Sequence, residues 1–348
     1  MSDKESKAIL LGMDLEELKR LAISGGMPSF TGRQLAEWLY KKQVTDFEKM
    51  HNISKKNREW LEANCEIGRE DPKARYKSAD GTVKYIFSGS KGRQIESVMI
   101  PDKERATLCV SSQSGCRMNC YFCATGRNGF AGNLTASQIL NQIITVGQDI
   151  QKDKDDDLTN IVFMGMGEPL DNFPAVKRVI EILTAPWGFA WSPKRITVST
   201  VGKLPQLKEL LDDTKVHVAV SLHTPNATLR EQIMPAQKAF PITSVVKLLK
   251  SYDFSHQRRL SFEYIMWKGI NDDIDHARSL VSLIQGLECR VNLIRYHKIP
   301  GVDLQSATEE RMIMFRNFLN SHGIIATIRA SRGEDIMAAC GMLAGKEC

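Results

Sequence analysis

The sequence predicts an α/β protein whose main domain contains a parallel β-sheet, either open or closed toward a barrel. Three observations indicate this fold class. The 348 residues suffice for one large domain and a small accessory domain. From about Arg105 onward, apolar strand-like runs alternate with amphipathic helices, and polar motifs follow several of these runs. Periodicity alone does not distinguish a barrel from a doubly wound sheet.

The composition is that of a globular protein, with 42% hydrophobic and 25% charged residues. The net charge of +6 permits a polyanionic partner but does not require one. No apolar run approaches the roughly 18 residues of a membrane span, and the first 20 residues lack the features of a secretory signal. We therefore expect a cytoplasmic protein without membrane association. In that compartment, the eight cysteines indicate metal binding or catalysis rather than a disulfide framework.

Residues 1–68 are predicted to form a helical accessory domain. Its first helix covers "MDLEELKRLAI", where Asp14 and Glu17 have the spacing of a capping box. Two further helices are expected over "TGRQLAEWLYKK" and "SKKNREWLEANC". In residues 69–101, apolar and polar residues alternate on both sides of Asp80-Gly81. This pattern predicts a β-hairpin that links the accessory domain to the main domain.

Residues 102–348 are predicted to form the α/β core domain. The expected strands are "ATLCVSS", "TNIVFMG", "RITVST", "VHVAVSLH", "LSFEYIM", "RVNLIRYH" and "IATIRAS". The expected helices include "TASQILNQIITVGQDI", "NFPAVKRVIEILTA", "PITSVVKLLKSY", "DHARSLVSLIQG" and "ATEERMIMFRNFLNSHG". Thr135 with Gln138 and Ser306 with Glu309 are predicted to cap two of these helices. Functional groups are expected at the carboxyl ends of the strands, where "GMGEP", "STVG", "SLHTP" and "RYHKIPG" lie.

The loop after the first core strand, "SSQSGCRMNCYFCATG", contains Cys116, Cys120 and Cys123. A structural zinc site usually takes four protein ligands in two spaced pairs, and a catalytic zinc site usually includes histidines. An iron–sulfur cluster held by three cysteines leaves one iron open for another ligand. The three thiols could also be ordinary buried groups, although a loop rich in Gly, Ser and Asn is a poor place for core packing. The spacing favours the open cluster but leaves the alternatives in place.

The CxxxCxxC spacing after a core strand resembles the radical S-adenosylmethionine (SAM) superfamily. The segments "RATLCVSSQSGCRMNCYFCATG", "FMGMGEPL", "ITVSTVG", "SLHTPN" and "DIMAACGMLAG" resemble the RlmN-type dual-specificity RNA methyltransferases. The resemblance implies a partial (β/α) barrel, one [4Fe–4S] cluster on Cys116, Cys120 and Cys123, and two SAM molecules per turnover. It further implies methylation of adenine C2 at position 2503 of 23S rRNA and at position 37 of tRNAs.

The resemblance also implies roles for three further side chains. Cys340 matches the cysteine that is first methylated; a radical derived from the second SAM then activates this methyl group, which adds to adenine C2. Cys109 matches the thiol that releases the product by forming a disulfide with Cys340. Glu96 matches the proton acceptor. Taken alone, both cysteines could be packing residues and Glu96 a solvated strand residue. Cys65, Cys289 and Cys348 match no motif.

Cofactor contacts are implied at the strand ends, where Gly167 and Glu168 match the motif that receives the amino group of SAM. Ser199 and the segment Ser221-Leu222-His223 match further contacts. His297 stands where the pattern usually has Asn. The resemblance also implies RNA recognition by the N-terminal domain and an external, flavodoxin-like electron donor, and we expect a monomer. Two alternatives stay open at this point: a Cfr-type enzyme that methylates C8 of the same rRNA adenosine, and a non-catalytic metal or iron–sulfur protein that binds RNA.

Overall fold

The computed structural model of the chain describes residues 7–154, 157–256 and 258–344; Cys348 lies outside these ranges. The chain divides into two compact units. The smaller one, here called the helical unit, comprises Met1–Asp71, Leu134–Asp157 and Pro174–Ser192. The larger one, the sheet unit, comprises Pro72–Asn133, Leu158–Phe173 and Pro193–Cys348. The division into domains 1–68, 69–101 and 102–348 stays a prediction.

The α-helices in the described ranges are α1 (Leu15–Ser24), α2 (Thr31–Ala36), α3 (Lys55–Asn64), α4 (Ala124–Arg127), α5 (Ala136–Lys154), α6 (Phe173–Thr184), α7 (Leu204–Asp213), α8 (Ala227–Ile233), α9 (Ile242–Leu249), α10 (Ile274–Ile284) and α11 (Glu309–Ser321). A π-helical turn, Glu37–Lys41, continues α2. None of the described helices combines the length and apolar character that crossing a bilayer needs.

The strands in the same ranges are β1 (Ala8–Ile9), β2 (Cys65–Glu66), β3 (Ala74–Lys77), β4 (Val83–Ser88), β5 (Gln94–Asp102), β6 (Arg105–Cys109), β7 (Gln113–Gly115), β8 (Phe130–Asn133), β9 (Asn160–Phe163), β10 (Ile196–Thr200), β11 (His217–Ser221), β12 (Leu260–Met266), β13 (Arg290–Arg295) and β14 (Ile325–Ile328). Each of the seven predicted core strands is therefore confirmed, and so are the five predicted core helices. The helices α4, α7 and α8 are additional to those named from the sequence.

The main sheet of the sheet unit decides between the two α/β architectures. Its described strands run in the order β14-β13-β12-β11-β10-β9-β6-β5-β4-β3. From β6 to β14 the neighbours are parallel and follow the chain without a reversal. A doubly wound sheet would reverse its order at a switch point, whereas a barrel adds each strand beside the last. The sheet is accordingly a partial (β/α) barrel, as the resemblance implied.

The predicted hairpin is present as the antiparallel pair β3 and β4, with Asp80 and Gly81 in the turn. Gly81 has φ +84°, a conformation that favours glycine. The Asp80 carboxylate accepts hydrogen bonds from the backbone N–H groups of Thr82 (2.9 Å) and Gly333 (3.0 Å). Strand β5 pairs with both β4 and β6, so the strands of residues 69–101 extend the main sheet.

The first helix of the helical unit, α1, begins with the predicted capping box. The Glu17 backbone N–H donates to the Asp14 carboxylate (2.7 Å), and the Asp14 backbone N–H donates to the Glu17 carboxylate (2.8 Å). Arg178 of α6 forms ion pairs with both acids. A Cβ at Gly32 would lie 2.6 Å from the Lys19 backbone, so this glycine lets α1 and α2 approach closely.

One predicted cap is wrong. Helix α11 begins at Glu309 with Thr308 as its N-cap, and the Thr308 hydroxyl accepts from the Arg311 backbone N–H (3.4 Å). Ser306 instead forms an isolated β-bridge with Trp267, and its hydroxyl accepts from the Tyr296 backbone N–H. Because Ser306 is held in this bridge, the helix starts later. The predicted pair of Thr135 and Gln138 does cap α5.

Candidate active site

The carboxyl ends of the parallel strands surround a cavity of about 160 Å³, here called the cofactor cavity. Most of the functional residues predicted from the sequence line this cavity: Cys116, Cys120, Cys123, Gly167, Glu168, Ser199, Ser221, His223 and Cys340. Leu222 does not line it; this residue is buried, and its backbone N–H donates to the Glu263 carbonyl (3.0 Å). Parallel topology explains the convergence, since every strand of such a sheet ends at the same edge.

The cysteine loop is shaped by its backbone. Gly115 has φ +79°, and a Cβ there would lie 1.8 Å from the Gly129 carbonyl oxygen, so only glycine fits. The Cys116 N–H donates to that same carbonyl (3.1 Å), and the Cys123 N–H donates to the Cys120 carbonyl (3.2 Å). Helix α4 starts directly after Cys123. These bonds direct three thiols, from one short loop, into one cavity.

The electrostatics of the loop indicate what the three thiols can hold. Burial raises the pKa of Cys116 to about 12 and raises that of Cys120 well above the ordinary value; in both cases the charge of Cys123 adds to the rise. Three crowded thiolates would be stabilised by a cationic iron core, so the donor set fits an iron–sulfur cluster. In the described part of the chain, no group of three or more His, Cys, Asp or Glu is arranged to hold a single metal ion.

Glu168 and Gly167 form the polar floor of the cofactor cavity. The Glu168 carboxylate accepts from the backbone N–H groups of Leu170 (3.1 Å) and Val201 (2.9 Å). Burial nevertheless raises the pKa of Glu168 to about 7. Gly167 has φ +101°, and a Cβ there would lie 2.5 Å from Gln113. This corner therefore offers a buried acid that is readily stabilised by an incoming cation, beside backbone that a ligand can approach closely.

His223 is held in a neutral form. Its φ of +58° is unusual for a residue with a side chain. Its Nδ1 accepts from the Ile265 backbone N–H (3.2 Å), which leaves the proton on Nε2. Burial, together with the smaller effect of the Arg230 charge, lowers the pKa of His223 to about 3. The ring can thus donate one hydrogen bond but does not carry charge at physiological pH.

A second cavity of about 310 Å³, here called the thiol cavity, lies beside the first. Cys109, His297 and Cys340 line it, and Cys340 borders both cavities. Burial raises the pKa of Cys109 to about 12; the charge of Cys340 adds to the rise and that of Arg329 opposes it. Cys340 itself is exposed. The two thiols thus meet in one space although one comes from the first core strand and the other from the last loop.

The structure does not bring Glu96 into either of these cavities. Glu96 is buried on β5, opposite Ile86 of β4. Its carboxylate accepts from the Ala344 backbone N–H (3.0 Å) and pairs with the equally buried Lys84 (3.5 Å). Both charged groups line a third cavity, of about 380 Å³. Glu96 therefore contacts the segment that carries Cys340 rather than the space between the thiols.

His297 lies in the thiol cavity, with its Nδ1 3.5 Å from the Glu334 carboxylate. Arg329 was not predicted from the sequence. It lines both the thiol cavity and the cofactor cavity, and it pairs with Glu263 (3.5 Å). Two signals could have identified this pair. Arg329 directly follows β14, and Glu263 interrupts an otherwise apolar strand.

Comparison with known proteins identifies the family. Residues 110–281 match the Radical SAM superfamily, and residues 9–67 match the ribosomal RNA large subunit methyltransferase N-terminal domain. A Parabacteroides distasonis protein, described as a probable dual-specificity RNA methyltransferase RlmN, is 55% identical over 337 residues, 97% of this chain and 96% of that protein. A Syntrophotalea carbinolica protein, described as a dual-specificity RNA methyltransferase RlmN, is 39% identical over 345 residues, 99% of this chain and 91% of that protein.

A crystal structure points to the same family. It is that of a radical SAM methyltransferase from Sphaerobacter thermophilus, which is 36% identical with a TM-score of 0.92 and covers 97% of this chain and 100% of that one. These matches confirm the resemblance and remove the non-catalytic alternative. Membership of the superfamily implies a [4Fe–4S] cluster and SAM as cofactors. The chain belongs to the RlmN family of RNA methyltransferases, within the radical SAM superfamily.

Proposed function

We propose that this enzyme methylates C2 of adenosine 2503 in 23S rRNA and of adenosine 37 in tRNAs, through S-methylation of Cys340 and a transient Cys109–Cys340 disulfide. One observation carries the proposal: Cys340 borders both cavities, and Cys109 shares the thiol cavity with it. A thiol in this position can take up a methyl group on one side and present it to a nucleobase on the other. The RNA methyltransferase relatives support RNA as the substrate.

The chemistry of the base explains why two thiols are needed. Adenine C2 lies between two ring nitrogens and has no lone pair, so it cannot attack a methyl sulfonium. When bound, the cluster and SAM supply a carbon radical, which no side chain offers. The protein's own part is to carry the methyl carbon on the Cys340 sulfur, to hold the covalent link between this carbon and the RNA, and then to break it.

The release step falls to Cys109. Its thiolate attacks the Cys340 sulfur, an S–S bond forms, and the bond between that sulfur and the carbon breaks. The electron pair stays with the carbon, which takes up a proton to become the methyl group of the product. Burial raises the pKa of Cys109 and so disfavours its thiolate. The charge of the Arg329 guanidinium opposes this rise and helps the thiolate to form. A base must take the C2 proton before release, and we assign this role to Glu96. Glu96 can reach the base only once Ala344 releases its carboxylate, so motion of the 340–344 segment is part of the proposal.

The cofactor contacts follow from the chemistry of SAM. The Glu168 carboxylate would pair with the ammonium group of the methionine part, and Gly167 would allow its close approach. Ser199, Ser221 and neutral His223 offer hydrogen bonds at neighbouring strand ends. For Leu222 we propose only a backbone contribution, because its side chain does not reach the cavity. His297 would act at the boundary of the thiol cavity.

Replacing Glu168 by glutamine is expected to weaken SAM binding by about tenfold, since one charge-assisted hydrogen bond of about 1.5 kcal/mol is lost. Equilibrium dialysis with labelled SAM, on anaerobically reconstituted protein, measures this affinity. Glu96→Gln is the matched control: it replaces another buried glutamate that lies outside the cofactor cavity. We expect it to lower methylation but not SAM affinity. Equal affinities for Glu168→Gln and the unmodified protein would refute the contact.

The product itself tests the proposed function. Protein reconstituted anaerobically with iron and sulfide, reduced and supplied with SAM, is incubated with a 23S rRNA fragment or with tRNA. Mass spectrometry of the digested RNA should detect 2-methyladenosine at position 2503 and at position 37, with two SAM molecules consumed per methyl group. Detection of 8-methyladenosine alone would instead establish Cfr-type chemistry.

We further propose that the enzyme works in the cytoplasm as a monomer, with RNA contacted by the N-terminal domain and electrons supplied by a flavodoxin-like protein. The match of residues 9–67 to an rRNA methyltransferase N-terminal domain supports the part concerning RNA.

A further inference from the structure

Arg230, in α8, is a fully buried arginine that the proposed mechanism does not use. Its Nη2 donates to the backbone carbonyls of Val201 (3.1 Å) and Ser221 (2.8 Å), and its Nε donates to the carbonyl of Leu222 (3.1 Å). Its Nη1 donates to the side-chain oxygen of Gln237 (2.6 Å). Each of these acceptors is neutral. The guanidinium is therefore well hydrogen-bonded, while its charge is not balanced by any of them.

A buried charge without a counter-charge is costly, because desolvation is not repaid by Coulomb attraction. In the described part of the chain, no carboxylate forms an ion pair with Arg230, whereas Arg329 pairs with Glu263. Burial lowers the pKa of Arg230 to about 10, and the negative charge of Cys120 opposes this lowering. Two residues whose carbonyls Arg230 binds, Val201 and Ser221, line the cofactor cavity together with Cys120, so the balancing anion is expected in that cavity.

The backbone connects Arg230 to that loop. Ile233 lies one helical turn further along α8, and its carbonyl accepts from the backbone N–H of Tyr121 (2.9 Å). Tyr121 directly follows Cys120.

We propose that Arg230 is the built-in counter-cation of the iron–sulfur cluster, and that its charge raises the reduction potential of that cluster. The inference rests on the proposed ligation of the cluster by Cys116, Cys120 and Cys123. Three thiolates outweigh the positive charge of an oxidised [4Fe–4S] core, and reduction by one electron adds a further negative charge. A fixed cation nearby stabilises the reduced state more than the oxidised state, and burial makes this difference large.

A purely structural role is the competing explanation, since Arg230 also ties together the ends of two strands. A potentiometric titration of the reconstituted protein without SAM, monitored by electron paramagnetic resonance, distinguishes the electrostatic role from the structural one. Arg230→Gln should lower the ratio of reduced to oxidised cluster at a fixed potential by about tenfold, or about 59 mV for a one-electron couple. Arg230→Lys keeps the charge and should stay closer to the unmodified protein.

A second variant tests the charge while leaving the arginine in place. Gln237→Glu puts a carboxylate of nearly the same shape against the Arg230 guanidinium, so the hydrogen bonds to the strand ends persist while the charge is neutralised. It should lower the potential in the same direction as Arg230→Gln. If Arg230→Gln does not fold, Gln237→Glu still tests the effect of the charge. Arg258→Gln is the matched control, because Arg258 is a buried arginine that donates to the backbone carbonyls of Leu211 and Thr214. The reduction potential of the cluster in Arg258→Gln should equal that of the unmodified protein.

The outcomes are distinguishable. A loaded cluster with an unchanged potential in Gln237→Glu would refute the inference alone. Equal shifts of the reduction potential in Arg230→Lys and Arg230→Gln would show that Arg230 has only a structural role. A reconstituted, unmodified protein that shows no [4Fe–4S] signal would overturn the cluster assignment and the inference together.

Discussion

Cys340→Ala is expected to abolish methylation of RNA, with a loss of at least about 10³-fold in turnover. The reason is chemical, because alanine has no sulfur to carry the methyl group. Of the two other cysteines that line the thiol cavity, Cys109 does not border the cofactor cavity and Cys123 is a proposed ligand of the cluster. Transfer of label from methyl-labelled SAM to RNA measures the effect. The same assay on protein alone should show that label no longer enters the polypeptide.

Cys289→Ala is the matched control, because Cys289 is a half-buried thiol that belongs to neither cavity. It should keep the activity of the unmodified protein. Substantial methylation by Cys340→Ala, with its iron content intact, would contradict the S-methylcysteine route while leaving the family assignment in place.

Cys109→Ala is expected to trap the enzyme on its RNA. Cys340 can still be methylated and linked to the base. The cysteine left beside it in the thiol cavity, Cys123, is a proposed cluster ligand and is not free to attack the Cys340 sulfur, so turnover stops after one event. On a denaturing gel, labelled RNA should migrate with the protein, and protease treatment should release it. The double variant Cys109→Ala/Cys340→Ala should give no such band. Free methylated RNA from Cys109→Ala over many turnovers, without an adduct, would rule out the disulfide step.

The fold was predictable where hydrophobic pattern decides structure. Strand β12 coincides with the predicted run "LSFEYIM", because a short and mostly apolar run is typical of a strand buried on both faces. The cap of α11 was not predictable from spacing, since Ser306 is recruited by a bridge to Trp267 on another strand. Local rules fail where a residue far along the chain offers a better partner.

The candidate site shows the same division. Parallel strands all end at one edge, so the polar residues after them had to converge, and the cofactor cavity contains most of those named from the sequence. Glu96 was named by resemblance, yet its carboxylate is held by Lys84 and Ala344 instead of facing the thiols. The neutrality of His223 likewise depends on burial, which a sequence motif does not report.

The sequence by itself determined the α/β class, the three-thiol loop and the set of motifs at the strand ends, because these depend on periodicity and on spacing within short segments. Only the tertiary structure decided that the strands follow the order of a partial barrel, that Cys109 and Cys340 share a cavity, and that Arg230 is buried against the ends of two strands. The physical reason is that charge, burial and proximity are set by the packing of segments that are distant in the chain.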